Sequence, residues 1–339
     1  MTKRRSAAVG LAAVAAGLLV LIAGLEAGGY PAGDALAALW RGAFGSWYAL
    51  TSSTLVRATP LIILGLAFAL ALKGGALNIG AEGQFYAGAI GATWLGVTAV
   101  SWPAPVAIAA GWAAAMVAGA VWILVPVVLR LRFGVLEVIT TLLLNFVAEA
   151  LVSLMVQGPL QEHTHIYPQS DPIALAARLP ALPGTRLHLG FGAALVMAAV
   201  LALVFARTVW GFRLRAAGLN PRAALASGRV DVPRLTAAAL LWSGAIAGLA
   251  GGIEVGGVSY ALYQNLSPGY GFTAIAVALL ARIRPLWIVP CGILFGALEA
   301  GAGGMQRDAG VPAVAVYGVE AVIIIVVLLA DAAARRRSR

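Results

Sequence analysis

Apolar residues follow one another along this chain in long unbroken runs. They cover roughly 7–25, 57–72, 84–100, 106–129, 135–156, 189–206, 236–255, 272–281, 286–303 and 314–330. A hydrocarbon layer ~30 Å thick is crossed by about 20 helical residues, so ten helical spans are expected, those at 57–72 and 272–281 being short. The period-two alternation of a membrane β-barrel is absent. The stretch 33–56, with Trp40, Arg41, Trp47 and Tyr48, is amphipathic and aromatic and is expected at a membrane interface. The expected fold class is all-α: one polytopic helical membrane domain over 1–339.

The positions of the basic residues test that list. With Lys3, Arg4 and Arg5 placed in the cytoplasm and ten spans alternating, eighteen of the 23 Lys and Arg fall inside. Arg41, Arg57, Arg178, Arg186 and Arg307 fall outside. Such a bias is the signature of a correct topology with both termini cytoplasmic; one missed span would invert everything after it. The N-terminus also resembles a signal peptide, but Ala7 to Leu25 is long for one, and an uncleaved anchor is expected.

Composition agrees. Of 339 residues, 61% are hydrophobic and 11% charged, with mean hydropathy +0.93, where soluble domains are nearer half and a quarter. Disordered, collagen-like and disulfide-rich classes are excluded, and the sole cysteine, Cys291, has no intramolecular partner. In a soluble protein the net charge of +10 would suggest nucleic acid. Here the cations lie between apolar runs, so they report topology and contact with lipid, and no nucleic-acid partner is expected.

Two loops stand out. Loop 157–187, with five prolines, is expected outside; loop 207–234, with six arginines, is expected inside. The first splits the chain into candidate halves, 1–156 and 189–339. Each half has a glycine-rich break before a span: Gly74-Gly75-Ala76-Leu77-Asn78-Ile79-Gly80 and Gly269-Tyr270-Gly271-Phe272. Paired breaks of this kind point to a transport site.

Catalytic motifs are missing. Neither Lys3 nor Lys73 fits a phosphate-binding G-x-x-x-x-G-K-[ST] loop, and no H-E-x-x-H, cysteine cluster or G-x-S-x-G occurs. His163 and His165 beside Glu162 have only Asp171 and His188 as further metal ligands nearby, and are read as a solvated polar loop. Polar groups within spans carry more information, because they are costly there. Asn78, Glu82 and Gln84 stand with Gly80 and Gly83 at a span entrance. Glu137, Thr140, Thr141, Asn145 and Glu149 form a stripe along one helix, either lining a pathway or bonding to other helices. Glu254, Glu299 and Glu320 are isolated and expected to be structural. In loop 207–234, a short helix is expected after Asn220 with Pro221 at its first position.

At this point a resemblance emerges. Gly75 to Ala92 (GALNIGAEGQFYAGAIGA), Glu137 to Leu151 (EVITTLLLNFVAEAL) and Pro268 to Gly301 are similar to permease subunits of bacterial ABC importers in the branched-chain amino acid and simple-sugar superfamily, most like the nucleoside-importing branch. The similarity covers most of the chain from Leu55 onward. It implies a non-catalytic subunit that forms the substrate pathway, with Asn78, Glu82, Gln84, Thr141, Asn145 and Phe272 as pathway residues. It implies a coupling helix within loop 207–234, carried by Arg215, Ala216, Ala217, Gly218, Asn220, Pro221, Arg222, Ala223, Ala224 and Gly228. The family's E-A-A-x-x-x-G falls on Arg222 to Gly228, with arginine in place of the glutamate and no downstream Ile-x-Leu-Pro.

The resemblance further implies a cytoplasmic ATPase that uses ATP and Mg, a second permease chain, an external substrate-binding lipoprotein, and residence in the bacterial inner membrane. No cofactor is expected in this chain. Phe85, Tyr86, Tyr270 and Phe272 are aromatics that either stack on a base or pack internally. Simple sugars are the alternative cargo. An ATP-independent carrier or channel is the alternative of another class; a membrane transferase lacks a visible carboxylate pair.

Overall fold

The computed structural model describes residues 22–228 and 230–312, plus isolated positions 19, 318, 321, 322 and 325. The expected last span, most of the first, Arg229 and Glu320 lie outside the described residues. Within them the chain is helical; two isolated bridges, Gln169 with Tyr263 and Ala181 with His188, are the extended pairings.

The helices, in order, are α1 (Ala32–Phe44), α2 (Trp47–Lys73), α3 (Ala81–Thr98), α4 (Ala104–Phe133), α5 (Glu137–Val156), α6 (Leu189–Arg207), α7 (Val209–Leu219), α8 (Pro221–Ala226), α9 (Val232–Ser259), α10 (Tyr270–Leu280) and α11 (Pro285–Asp308). Six of them, α2, α4, α5, α6, α9 and α11, are long and apolar enough to cross a membrane. Two compact units result: residues up to Arg57 together with those from Ile293 onward, and Ala58–Gly292.

In the first unit, α1 lies on the second half of α11. The approach is backbone to backbone: a Cβ on Gly42 would sit 3.0 Å from both the Ala300 carbonyl and Gly304 Cα. Leu25, Ala32, Ala35, Ala38, Met305 and Val311 form its core. Arg57 and Glu299 pair at 3.9 Å. The interfacial stretch expected at 33–56 is divided here, because residues from Trp47 join the next span as one helix. In the structure Thr51 donates to the Trp47 carbonyl at 2.7 Å and Thr54 to that of Ala43 at 2.8 Å, so the hydroxyls are satisfied and a π turn carries the helix through.

In the second unit, α3, α4 and α9 pack on one another as the core. The apolar window of α9 is 78% buried, against 28% for α4 and 22% for α5. Thus α9 is central, and α4 and α5 present faces outward. Glycines permit the contact: a Cβ on Gly88 of α3 would overlap the Gly248 carbonyl of α9, and one on Gly119 of α4 would meet Gly248 Cα at 2.8 Å. Helix–helix association in lipid relies on such close approach by small residues. Helix α4 stops at Gly134, whose φ of +66° lets its N–H return to the Leu129 and Arg130 carbonyls.

The loop 157–187 is ordered across one end of this unit. Ser170, Ile173 and Leu179 donate their backbone N–H groups to the carbonyls of Leu262, Tyr260 and Gly256, each at 2.8 Å. The Arg178 guanidinium lies 4.8 Å from the Tyr260 ring centroid.

Candidate functional site

The break between α2 and α3 is where most of the polar residues singled out in the sequence meet. Asn78 and Gln84 exchange side-chain hydrogen bonds: Asn78 Nδ2 donates to Gln84 Oε1 at 2.8 Å, and Gln84 Nε2 donates to Asn78 Oδ1 at 3.0 Å. Asn78 also donates to Ser243 Oγ on α9 at 2.9 Å and accepts from the Gly80 N–H at 3.0 Å. Asn78 is fully buried and Gln84 nearly so. An amide left without partners at that depth would cost several kcal/mol, and here every group is matched.

Asn145 of α5 closes the break from the other side. It donates to the Ile79 carbonyl at 3.0 Å and accepts from the Gly83 N–H at 2.8 Å. Asn145 and Asn78 between them thus satisfy the Ile79 carbonyl and the Gly80 and Gly83 N–H groups of this non-helical turn. Thr141, one turn earlier on the same face, packs where a Cβ on Gly80 would sit, and its hydroxyl returns to the Val138 carbonyl at 3.2 Å. Glu137 accepts from the Leu77 N–H at 3.2 Å and pairs with Arg130. Asn145→Ala leaves two buried backbone groups unpaired, each worth about 1–3 kcal/mol. A fall of several degrees in the melting midpoint of the detergent-solubilised protein is expected.

Glu82 faces the second break. Its Oε2 accepts from the Gly271 N–H at 2.5 Å, in the first turn of α10, and the Ser267 hydroxyl reaches the same carboxylate. Ser267 Oγ in turn accepts from the N–H groups of Gly269 and Tyr270 at 3.1 and 3.0 Å. A carboxylate there answers the exposed N–H groups and positive pole of the helix terminus. Gly271 has no room for a side chain, because its Cβ would lie 2.8 Å from both Glu82 Cα and Oε2. The first turn of α3, two residues past the first break, is thus in direct contact with the second break.

The aromatic candidates separate. Phe85 is fully buried, with Tyr86 and Tyr270 edge-on to it at centroid distances of 5.8 and 6.2 Å, so Phe85 and Tyr270 pack internally. Phe272 is 44% exposed and is not hydrogen-bonded into the amide cluster. Among the described residues no group of three or more His, Cys, Asp and Glu is gathered for a metal. His163 pairs with Asp171 at 2.8 Å, while His188 is buried at the start of α6. Glu162 organises its loop, accepting from the Thr164 hydroxyl at 2.6 Å, the Gln169 amide and the Tyr167 N–H, which hold its carboxyl down at about 2.

The basic loop folds as two helices. Asn220 ends α7 and caps α8, accepting from the Ala223 N–H at 3.0 Å, with Pro221 at the first position. Ala217 and Ala224 are buried; Arg215, Gly218, Asn220, Pro221, Arg222, Ala223 and Gly228 are exposed, and Ala216 is half-buried. Helix α7 rests on the first break: a Cβ on Gly218 would overlap the Lys73 carbonyl, and one on Gly75 would meet Gly218 Cα at 3.5 Å. Leu219 is 87% exposed and Leu225 51%, so the loop offers apolar side chains among arginines.

The sequence reading missed the packing glycines. Their signal was present as Gly244, Gly248 and Gly252 at intervals of four on α9.

A break stitched from both sides, capped on a second break and embedded among apolar spanning helices, defines a membrane transport subunit. Over residues 50–328 the chain matches the family described as branched-chain amino acid transport system / permease component, and it belongs to that family of ABC transporter permeases. Among curated relatives, the glucose ABC transporter permease protein TsgB13 of Haloferax volcanii is 38% identical over 83% of this chain and 76% of its own length. The guanosine ABC transporter permease protein NupP of Bacillus subtilis is 36% identical over 91% of both chains. The nucleoside ABC transporter permease protein NupB of Lactococcus lactis is 32% identical over 80% and 77%.

Proposed function

We propose that this chain forms the translocation pathway of an ATP-driven importer for nucleosides. The observation that carries the pathway reading is the buried Glu82–Gly271 bond, which ties the helix start just after the first break to the second break. Cargo is argued from likeness: alignment with the guanosine permease runs through 91% of both chains. The glucose permease relative favours a second reading, with the same pathway and a simple sugar as cargo.

In this reading, Asn78, Gln84, Thr141 and Asn145 hold the break in shape, Glu82 fastens it to α10, and Phe272 borders the pathway. The chain crosses the cytoplasmic (inner) membrane of a bacterium ten times with both ends inside, in two related halves. ATP and Mg are used by a separate ATPase that seats against α7 and α8, a second permease chain completes the pathway, and an external binding lipoprotein delivers substrate. The exposed Leu219 and Leu225 beside Arg215 and Arg222 suit a docking surface for the ATPase, and α7 lies against the break at Gly75.

The test is uptake of labelled guanosine, uridine, ribose and glucose in cells with and without the gene, before and after collapse of ATP. Gene- and ATP-dependent nucleoside uptake is expected. Uptake of sugar alone would replace the cargo, and uptake surviving loss of ATP would indicate a secondary carrier. Deleting Arg222–Gly228 is expected to abolish ATP-driven uptake while membrane abundance stays at the wild-type level; undiminished uptake would remove the coupling role.

A further inference from the structure

One ionisable side chain has no place in the network described so far. Glu149 lies on α5, three residues beyond Phe146, and both are exposed. Of the residues one turn away on the same face, Phe146 is exposed while Asn145 and Val152 are buried, so Glu149 stands at the edge of the face that α5 packs inward. A carboxylate within a spanning helix does not face lipid, so this edge must border water or another protein surface. It sits seven residues before the end of α5, about 10 Å along the axis at 1.5 Å per residue.

Around it is a pocket of about 350 Å³, lined by Tyr86, Phe146, Glu149, Ser153, Gln264 and Asn265. Small-molecule sites begin near this size. The lining combines an aromatic face with a carboxylate and two amides. Phe146 is 62% exposed, and Gln264 is held in place by its 2.7 Å bond to Ser153 Oγ. Residues three apart on a helix stand about 5–6 Å from each other, so a ring and a carboxylate are offered side by side. The floor touches the transport element, because the Tyr86 hydroxyl reaches the Ser267 carbonyl at 3.4 Å and Ser267 caps α10.

We propose that this pocket is the nucleoside-recognition site of the permease. Glu149 accepts the ribose 2′- and 3′-hydroxyls, and Phe146 lies against the base. An acidic side chain is the usual protein partner of ribose hydroxyls, since its oxygens accept from both at once. An aromatic ring stacks on any base, which suits a carrier of several nucleosides. This inference rests on the nucleoside reading above and assigns it a site.

The test uses the assembled importer in cells and compares guanosine with 2′,3′-dideoxyguanosine, with D-glucose as a third substrate. The external binding protein's own preference is common to wild type and variant and cancels in their ratio. Glu149→Ala is expected to lower guanosine uptake about tenfold while dideoxyguanosine uptake stays within about twofold of wild type. Glu149→Gln, which keeps the side-chain volume, is expected to follow the same pattern more weakly. Membrane abundance and co-purification with the ATPase should be unchanged, since the residue is exposed. An unchanged guanosine-to-dideoxyguanosine ratio in both variants, whether uptake is retained or lost in parallel, overturns the site and leaves the importer reading standing. A wild-type complex that carries glucose and no nucleoside overturns both.

Discussion

Gly248→Leu is expected to leave little or no folded permease in the membrane. At this position three helices approach with backbone against backbone: a side chain would overlap the Ala115 carbonyl and stand 3.0 Å from Gly119 Cα, both on α4. On α3, Gly88 already has no space beyond the Gly248 carbonyl. Overpacking a core usually costs about 1–3 kcal/mol because flexible side chains give way. Here the obstacle is main chain of a neighbouring spanning helix, so relief requires α3, α4 and α9 to separate. The cost is expected to exceed about 3 kcal/mol, a large share of the ~5–15 kcal/mol that holds a domain together. Fluorescence-detected size exclusion of the solubilised protein would report it as loss of the monodisperse peak. A normal peak would mean that the three helices do not pack as described. Gly248→Ala, with one carbon, is expected to fold poorly but detectably.

Glu82→Ala is expected to abolish transport with a much smaller effect on abundance. The carboxyl group accepts from the Gly271 N–H at the start of α10 and is buried there. A buried donor left without its partner costs about 1–3 kcal/mol, enough to detach α10 from the break while the core of α3, α4 and α9 remains intact. The prediction is a fall in ATP-dependent uptake of at least about a hundredfold, with membrane levels within about twofold of wild type. Wild-type uptake would remove Glu82 from the pathway. Glu82→Gln keeps an acceptor for Gly271 and is expected to retain part of the activity, so the series separates the bond from the rest of the carboxyl group.

Sequence patterning carried the helical class and the position of the six helices long and apolar enough to cross a membrane, because twenty apolar residues have few other uses. It also exposed Asn78, Glu82, Gln84 and Asn145, since polar groups inside apolar runs are conspicuous. It did not reveal their roles. Asn78 and Gln84 bond to one another six residues apart across a non-helical turn, whereas Asn145 reaches back more than sixty residues to Ile79 and Gly83. Such partners are set by tertiary packing, which periodicity does not encode. The end of the interfacial stretch, expected at residue 56, was displaced to Trp47 for a related reason. Ser and Thr can bond back to carbonyls of a preceding turn, so a polar stretch need not end a helix. Phe85 and Phe272 show the limit from the other side: both are aromatic at a span entrance, yet one is enclosed and the other exposed.

The seat of α7 on the first break has a mechanical consequence. Gly218 meets the Lys73 carbonyl and Gly75 with no side chain between them. Protein interiors are close-packed and barely compressible, and here even the soft outer layer of rotamers is missing. In the coupling role proposed above, a force on the exposed face at Leu219 would pass to the end of α2 through main-chain contact alone, and bulk added at Gly218 would wedge that seat open.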